Sequence, residues 1–117
     1  MTAPTTAKVR VLFWREVPVQ VQAEDETGKV SVLLDPRFQE GADAIAMFDG
    51  SYGSEEYLEG WKWTEPSGVE GTAREVAAET AGRYNKGMPE DFVARVRDLH
   101  NEGVRDPTPG AIDGWIE

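Results

Sequence analysis

The sequence contains no cysteine. Disulfides, thiolate nucleophiles, iron–sulfur ligation and zinc–thiolate sites are therefore excluded, and the fold must stand on packing alone. It contains a single histidine, His100. A histidine metal site draws on several ligands, and a catalytic triad needs a nucleophile held beside its base. Neither arrangement can be built around one ring by spacing. His100 lies near the end of a helical stretch, where the helix dipole favours it. No apolar run approaches the roughly 18 residues that would mark a membrane-spanning helix. Residues 1–7 lack the apolar stretch of a secretory signal, so the cytoplasm is the expected address. No GxxxxGK[ST] loop is present, and no GxGxxG follows a strand. Basic residues are few: 12 against 22 acidic ones, for a net charge of -10. That field opposes a phosphate backbone and an anionic membrane surface alike. It serves solubility, or steers the chain towards a basic partner.

What is present is enough for one domain. A chain of 117 residues buries roughly two-thirds of the surface that its unfolded form exposes. Apolar residues make up only 39%, but four Trp, four Phe and three Tyr each bury a large area.

Residues 8–15 (KVRVLFWR) alternate: Val9, Val11 and Phe13 against Arg10, Leu12 and Trp14. Period and composition predict a strand. Pro18 predicts a bend or an edge. Val17, Val19 and Val21 alternate with Pro18, Gln20 and Gln22 in a second strand. The polar turn at residues 24–28 ends in glycine, a hairpin signal, and residues 29–34 form a third strand. Asp35-Pro36 predicts a helix start, with Asp35 as cap and Pro36 at the first position. Phe38, Ala42, Ile45 and Ala46 form its stripe. A short turn over residues 55–59, a fourth strand over 61–65 and a turn over 66–68 follow. Thr72 and Glu75 make a capping box for a helix to about Lys86, and Pro89 opens a last helix. From Gly103 onward, Pro107, Pro109, Gly110 and Gly114 oppose regular structure.

The order βββα-βαα predicts an α+β fold, an antiparallel three- to four-stranded sheet with helices packed on one face. The expected organisation is a disordered N-terminus (1–7), one domain (8–103) and an extended C-terminal tail (104–117).

Several residues are candidates for contact. If Val9, Val11 and Phe13 point inward, Trp14 points outward beside Leu12, next to Arg15. Aromatic and Arg side chains are enriched at interface hot spots; the other outcome is a helix covering Trp14. Trp61 and Trp63 share one side of their strand, either to grip a ligand or partner or to fill core. Trp115 stands near the chain end. It either folds back onto its own domain or inserts into a neighbour. Residues 49–60 have the outline of a calcium loop, but position six is Ser54 and position twelve is Gly60, so the match fails. The run Glu24-Asp25-Glu26 reads as a solvated turn. The acids are too numerous to single out a catalytic pair. No metal, no cofactor and no catalytic residue are assigned.

The phrase Phe13-Trp14-Arg15-Glu16-Val17-Pro18-Val19-Gln20-Val21 resembles the opening of a small bacterial "virulence factor", or conserved virulence factor C-like, domain. Asp35-Pro36-Arg37-Phe38-Gln39, the stretch 42–47 and Ser54-x-x-Tyr57-Leu58-x-x-Trp61 resemble its following phrases. The likeness runs over residues 9–84. It implies a bacterial cytoplasmic domain and brings no catalytic residues. Trp14, Arg15, Pro18 and Gln20 carry over as positions of the phrase.

The expected function is a non-enzymatic protein-interaction or accessory module. Its binding residues would be Trp14, Arg15, Gln20, Trp61, Trp63 and Trp115, and its partner another protein or a second copy. The alternative is a small-molecule-binding protein or minor enzyme, with a pocket between sheet and helices where Arg15 holds an anionic group. A third reading, mimicry of nucleic-acid charge, needs acids gathered on one face, and here they are scattered.

Overall fold

The computed structural model describes residues 5–117. Alternating valines carry β1 (Thr6–Trp14) and β2 (Val17–Asp25), which pair antiparallel, and β3 (Gly28–Leu33) pairs the far side of β2. β4 (Trp61–Trp63) and β5 (Ser67–Glu70) share the other edge of β1. Among the described residues the sheet therefore has five strands, one more than expected. β5 pairs with the first half of β1 and β4 with its last three residues. Pro66 lies between them, where the missing N–H interrupts a ladder. Thr64 bridges the gap: its N–H donates to the Val11 carbonyl (3.0 Å), and its hydroxyl accepts from Val11 N–H (3.0 Å).

β1 starts earlier than expected. Thr6 and Ala7 belong to it, and Ala7 is buried, so order begins inside the stretch expected to be disordered. Residues 1–4 of that stretch lie outside the described residues.

The helices are α1 (Pro36–Asp49), α2 (Glu55–Glu59), α3 (Ala73–Gly87) and α4 (Phe92–Glu102), followed by a 3-10 turn (Asp113–Trp115). Pro36 opens α1, and Gly50 (φ 84°) ends it in the left-handed conformation that glycine tolerates. Asp35 makes no side-chain cap; instead its N–H donates to Asn85 Oδ1 (2.9 Å), tying the entry of α1 to the last turns of α3. The Thr72 hydroxyl accepts from Glu75 N–H (3.2 Å), as the capping box predicts. α3 lies against β1, β2 and β3 through Ala73, Val76, Ala77, Ala81 and Tyr84. Phe38 of α1 stacks on Phe92 of α4 with ring centroids 5.4 Å apart. The fold is α+β, an antiparallel sheet with helices packed against it.

The register of β1 and β2 slips by one residue: Leu12 faces Gln20, but Phe13 faces Pro18. A bulge is where an interior strand tolerates proline. Successive strand residues point to opposite faces. Phe13 meets Tyr84 of α3 edge-on (6.4 Å), while Trp14 meets Tyr57 of α2 (5.6 Å). Trp14 is 0% exposed and donates from Nε1 to the Tyr57 carbonyl (2.8 Å). Of the two outcomes open for Trp14, the structure has the covered one, and its expected place on an exposed binding surface is corrected: it lies on the second face, and α2 covers that end. Gly60 is required there, since a Cβ would lie 2.7 Å from Trp14 Nε1.

Asp25 anchors α3 to the β2–β3 hairpin. One oxygen accepts from Ala73 N–H (2.8 Å) and the other from the Thr27 N–H (2.8 Å) and hydroxyl (2.7 Å). The Ala73 bond, with the two from Thr27, holds its carboxyl at about 2, below its ordinary 3.8. A depressed folded value stabilises the fold above the unfolded value and is lost as pH falls through the folded one. Acid titration of the wild type should lose this contribution between pH 3.8 and about 2, and Asp25→Asn should flatten that part of the circular-dichroism curve. A carboxyl midpoint near 4 for Asp25 by NMR would refute the anchor.

Candidate functional site

The strand register assembles the face of the sheet that α3 does not cover. Leu33 faces Gln20, Gln20 faces Leu12 and Leu12 faces Trp63, so one row crosses β3, β2, β1 and β4. The next row is Ser31, Gln22 and Arg10; the one beyond it is Lys29, Glu24 and Lys8. Leu33 is 71% exposed and Trp63 36%. The Arg10 guanidinium carbon stands 4.3 Å from the Trp63 ring centroid. Arg10 Nε donates to Gln22 Oε1 (2.7 Å), and Gln22 Nε2 donates to Ser31 Oγ (3.2 Å). An apolar row thus lies beside a hydrogen-bonded polar row, and both are open to solvent.

Of the residues expected to bind, Gln20 and Trp63 lie on this face. Trp61 is half-buried, with Tyr57 edge-on to its ring at 6.1 Å, so the Trp61/Trp63 pair is split between packing and surface. Trp115 folds back on its own domain. Arg95 of α4 lies 5.5 Å from its ring, and Glu117 N–H donates to the Gly87 carbonyl (3.0 Å). The chain end is therefore packed, where an extended tail was expected.

Trp14, buried, and Arg15, half-buried, adjoin a charge cluster at the α2 end of this face. Arg15 occupies the two-residue turn between β1 and β2 with φ 50°, a left-handed conformation costly for a side chain with a Cβ. Its N–H donates to the Gly60 carbonyl (2.9 Å), and its guanidinium pairs with Asp49 Oδ2 (2.8 Å). Glu16, 1% exposed, accepts both arms of a fork from Arg105 (2.7 Å each). Arg105 also reaches Asp49 Oδ2 (3.0 Å). Ser51 donates its N–H and hydroxyl to Asp49 Oδ1 (2.9 and 2.6 Å). Burial alone would raise the Asp49 carboxyl; the Ser51 bonds, Arg105 and Arg15 outweigh it and hold it below its ordinary value. Burial likewise opposes the charge on Arg105, and Glu16 and Asp49 reverse that. The cluster joins the first hairpin, the end of α1 and the tail.

A separate cleft of about 430 Å³ opens between β1 and α3, floored by Val9, Val11 and Phe13 and closed by Tyr84 and Asp113. The Tyr84 hydroxyl donates to Asp113 Oδ2 (2.9 Å), while Asp113 Oδ1 is buried with no partner. Burial pushes both groups above their ordinary values. Arg15 is not in this cleft. It lines a recess of about 270 Å³ together with Glu56, Glu59 and Lys62, where two carboxylates against two cations leave no net attraction for an anion.

Alternation already set Arg10 beside Leu12 and opposite Val9 and Val11, but Arg10 was not among the expected binding residues, and neither were Leu33, Glu16, Asp49 and Arg105. That Leu33 joins the row was reachable through pairing: a turn at Arg15-Glu16 sets the register, and register aligns the strands. Nothing in the spacing of Arg105 pointed to Glu16.

These features define a small α+β domain with one covered and one open sheet face. The family model described as Virulence factor matches residues 12–99, most of the chain, and the chain belongs to that family. The match extends the resemblance through most of α4 and stops before the tail. Neither a curated protein nor a solved structure matches the chain.

Removing one partner of a buried ion pair leaves the others charged and dry, at a cost of about 3–5 kcal/mol. Arg105→Ala should lower stability by about that amount in urea titration. A loss of less than about 1 kcal/mol, the range of exposed pairs, would show that the cluster is solvated.

Proposed function

We propose that this chain is a non-enzymatic protein-interaction or accessory module of a bacterial cytoplasmic system, and that it engages another protein, or a second copy of itself, through the open sheet face. The observation that carries this reading is the row Leu33–Gln20–Leu12–Trp63. It places two large exposed apolar side chains on a rigid sheet with no helix over them among the described residues. Scattered exposed apolar residues are ordinary, but an aligned set beside a stacked Trp–Arg pair has the composition of an interface centre. Membership of the Virulence factor family supports a bacterial setting. Among the described residues no helix is long and apolar enough to cross a membrane. Trp14, Arg15 and Trp61 serve this reading from behind, as the packing that holds β1 and β4 in place.

A second reading has one observation in its favour, the cleft closed by Tyr84 and Asp113. It would suit a small molecule with an apolar body and an N–H donor for the orphan Asp113 oxygen. A small alkyl amine titrated into the protein should then shift the NMR signals of Val11 and Tyr84; unmoved signals at millimolar amine would remove this reading.

The interaction reading is tested on the full chain expressed in its host. Leu33→Ser with Trp63→Ala should abolish the co-purifying partner, or the dimer mass in light scattering, with the thermal melt retained. Met47→Ser, which changes an exposed apolar residue of α1, should leave both intact. If the doubly substituted face keeps its partner, or if the wild type is a monomer with none, the reading is overturned.

A further inference from the structure

The open face is apolar in one row and cationic in the next two. Lys8, Arg10 and Lys29 line a recess of about 230 Å³ together with Gln22, Glu24 and Pro66. Three cations meet one carboxylate there, on a chain whose net charge is -10. Lys29 lies 3.6 Å from Glu24, with both side chains at least half exposed, so that carboxylate is shared loosely with solvent. The Arg10 guanidinium, by contrast, is fixed from two sides. Its Nε is held by Gln22, and its carbon stands over the Trp63 ring. Among the described residues its two terminal nitrogens have no acceptor.

Two explanations compete for this arrangement. Lysines on edge strands protect a sheet from pairing with other sheets, and Lys29 on β3 fits that role. Arg10 does not, because it lies on β1, in the middle of the sheet, where no edge needs protection. A guanidinium that is stacked and hydrogen-bonded through Nε presents its remaining N–H groups in a fixed fork. Such a fork matches a carboxylate bidentately and loses little rotamer freedom on binding. Lys8 and Lys29 add attraction without specific geometry. A polyanion such as nucleic acid would be repelled by the rest of the surface, whereas one or two carboxylates on a protein segment would feel mainly the recess.

We propose that Arg10, flanked by Lys8 and Lys29, anchors a carboxylate of the partner protein, carried on an acidic segment whose neighbouring apolar side chain rests on Leu12, Leu33 and Trp63. This rests on the interaction reading above and specifies its partner: acidic and apolar side by side. The spacing fits, because Arg10 and Leu12 are two residues apart on one strand face, roughly 7 Å. A partner strand with Glu and Leu two positions apart spans the same distance.

The probe is a peptide of repeating Leu-Ser-Glu-Ser, about ten residues long, which as a strand sets Leu and Glu two positions apart on one face, compared with its Glu→Gln counterpart. Binding to the full-length protein is followed by NMR at Arg10 Nε–H and the Trp63 indole. The Glu peptide should bind at least tenfold more tightly than the Gln peptide. Arg10→Gln should remove that preference. Arg10→Lys, which keeps the charge but not the fork, should recover only part of it. If Arg10→Gln fails to fold, Lys8→Gln with Lys29→Gln carries the test and should weaken the Glu peptide severalfold, with a shallower salt dependence. Equal binding of the two peptides, or none at millimolar concentration, overturns the proposal. So does an Arg10 shift with inorganic phosphate alone as large as with the Glu peptide, which would assign the recess to a free anion. A host partner that is lost on Leu33→Ser with Trp63→Ala but indifferent to Arg10→Gln and to salt would leave the interaction reading standing and overturn acidic recognition alone.

Discussion

One residue of slippage between β1 and β2 organises this molecule. Up to Leu12 the strands run in register, and Arg10 and Leu12 stand on the open face opposite Gln22 and Gln20. Beyond Leu12, Pro18 faces Phe13 and the ladder bends. Phe13 and Trp14 then both enter packed surroundings, one beneath α3 and the other beneath α2. The turn that follows falls where Asp49 and Arg105 can reach it. A bulge concentrates twist at one point. Here it brings the end of the first hairpin to α2, which covers Trp14, while Val9, Val11 and Phe13 keep the α3 side of the strand throughout. Proline is compatible with this position and with few others in an interior strand.

The charge cluster behind the bulge follows from the same geometry. Arg15 sits at positive φ in the tight turn, which leaves Glu16 dry, 1% exposed. A dry carboxylate is tolerated only when paired and hydrogen-bonded. Arg105 satisfies it bidentately and spends its remaining arm on Asp49, which Ser51 saturates from the other side. Buried ion pairs of this kind add little net stability against an apolar core of the same volume, because desolvation cancels most of the attraction. Their effect is on which arrangement is allowed. Any packing of the tail that leaves Arg105 outside strands Glu16, so the end of the chain is locked to the first hairpin. That explains why a segment with Pro107, Pro109 and Gly110 is ordered against its own domain.

Much of the fold was legible because its signals are local. Valine alternation marks the first three strands, Asp35-Pro36 and Gly50 bound α1, and Thr72 with Glu75 starts α3. β5 was not legible, because it is short, solvent-exposed and defined only by its pairing with β1, a non-local fact. Alternation put Trp14 on the second face, where it lies; that α2 covers it there was not legible, because the packing of residues 55–59 on β1 is a non-local fact. The candidate face was half legible. The side on which Gln20, Trp63 and Arg10 stand came from period and composition, while the alignment of Leu33 with them required the register of four strands. The link between Glu16 and Arg105 joins residues far apart in the chain through a tail without periodicity. No spacing rule could reach it.

The covered and open halves of the sheet divide the work by chemistry. The charges of the Glu16 cluster are matched in number and geometry, as Glu16, Asp49, Arg15 and Arg105 show. On the open face the matching is incomplete: three cations stand around one carboxylate, and the best-positioned of them, Arg10, is fixed in orientation but not neutralised. An ordered guanidinium over an exposed indole adds little to the stability of such a fold. Cation–π stacking at such a site contributes only about 0.5–1 kcal/mol, which is small beside the buried cluster. The order at Arg10 therefore reads as preparation for contact, because pre-set geometry lowers the entropic cost of an association and does little for an isolated domain.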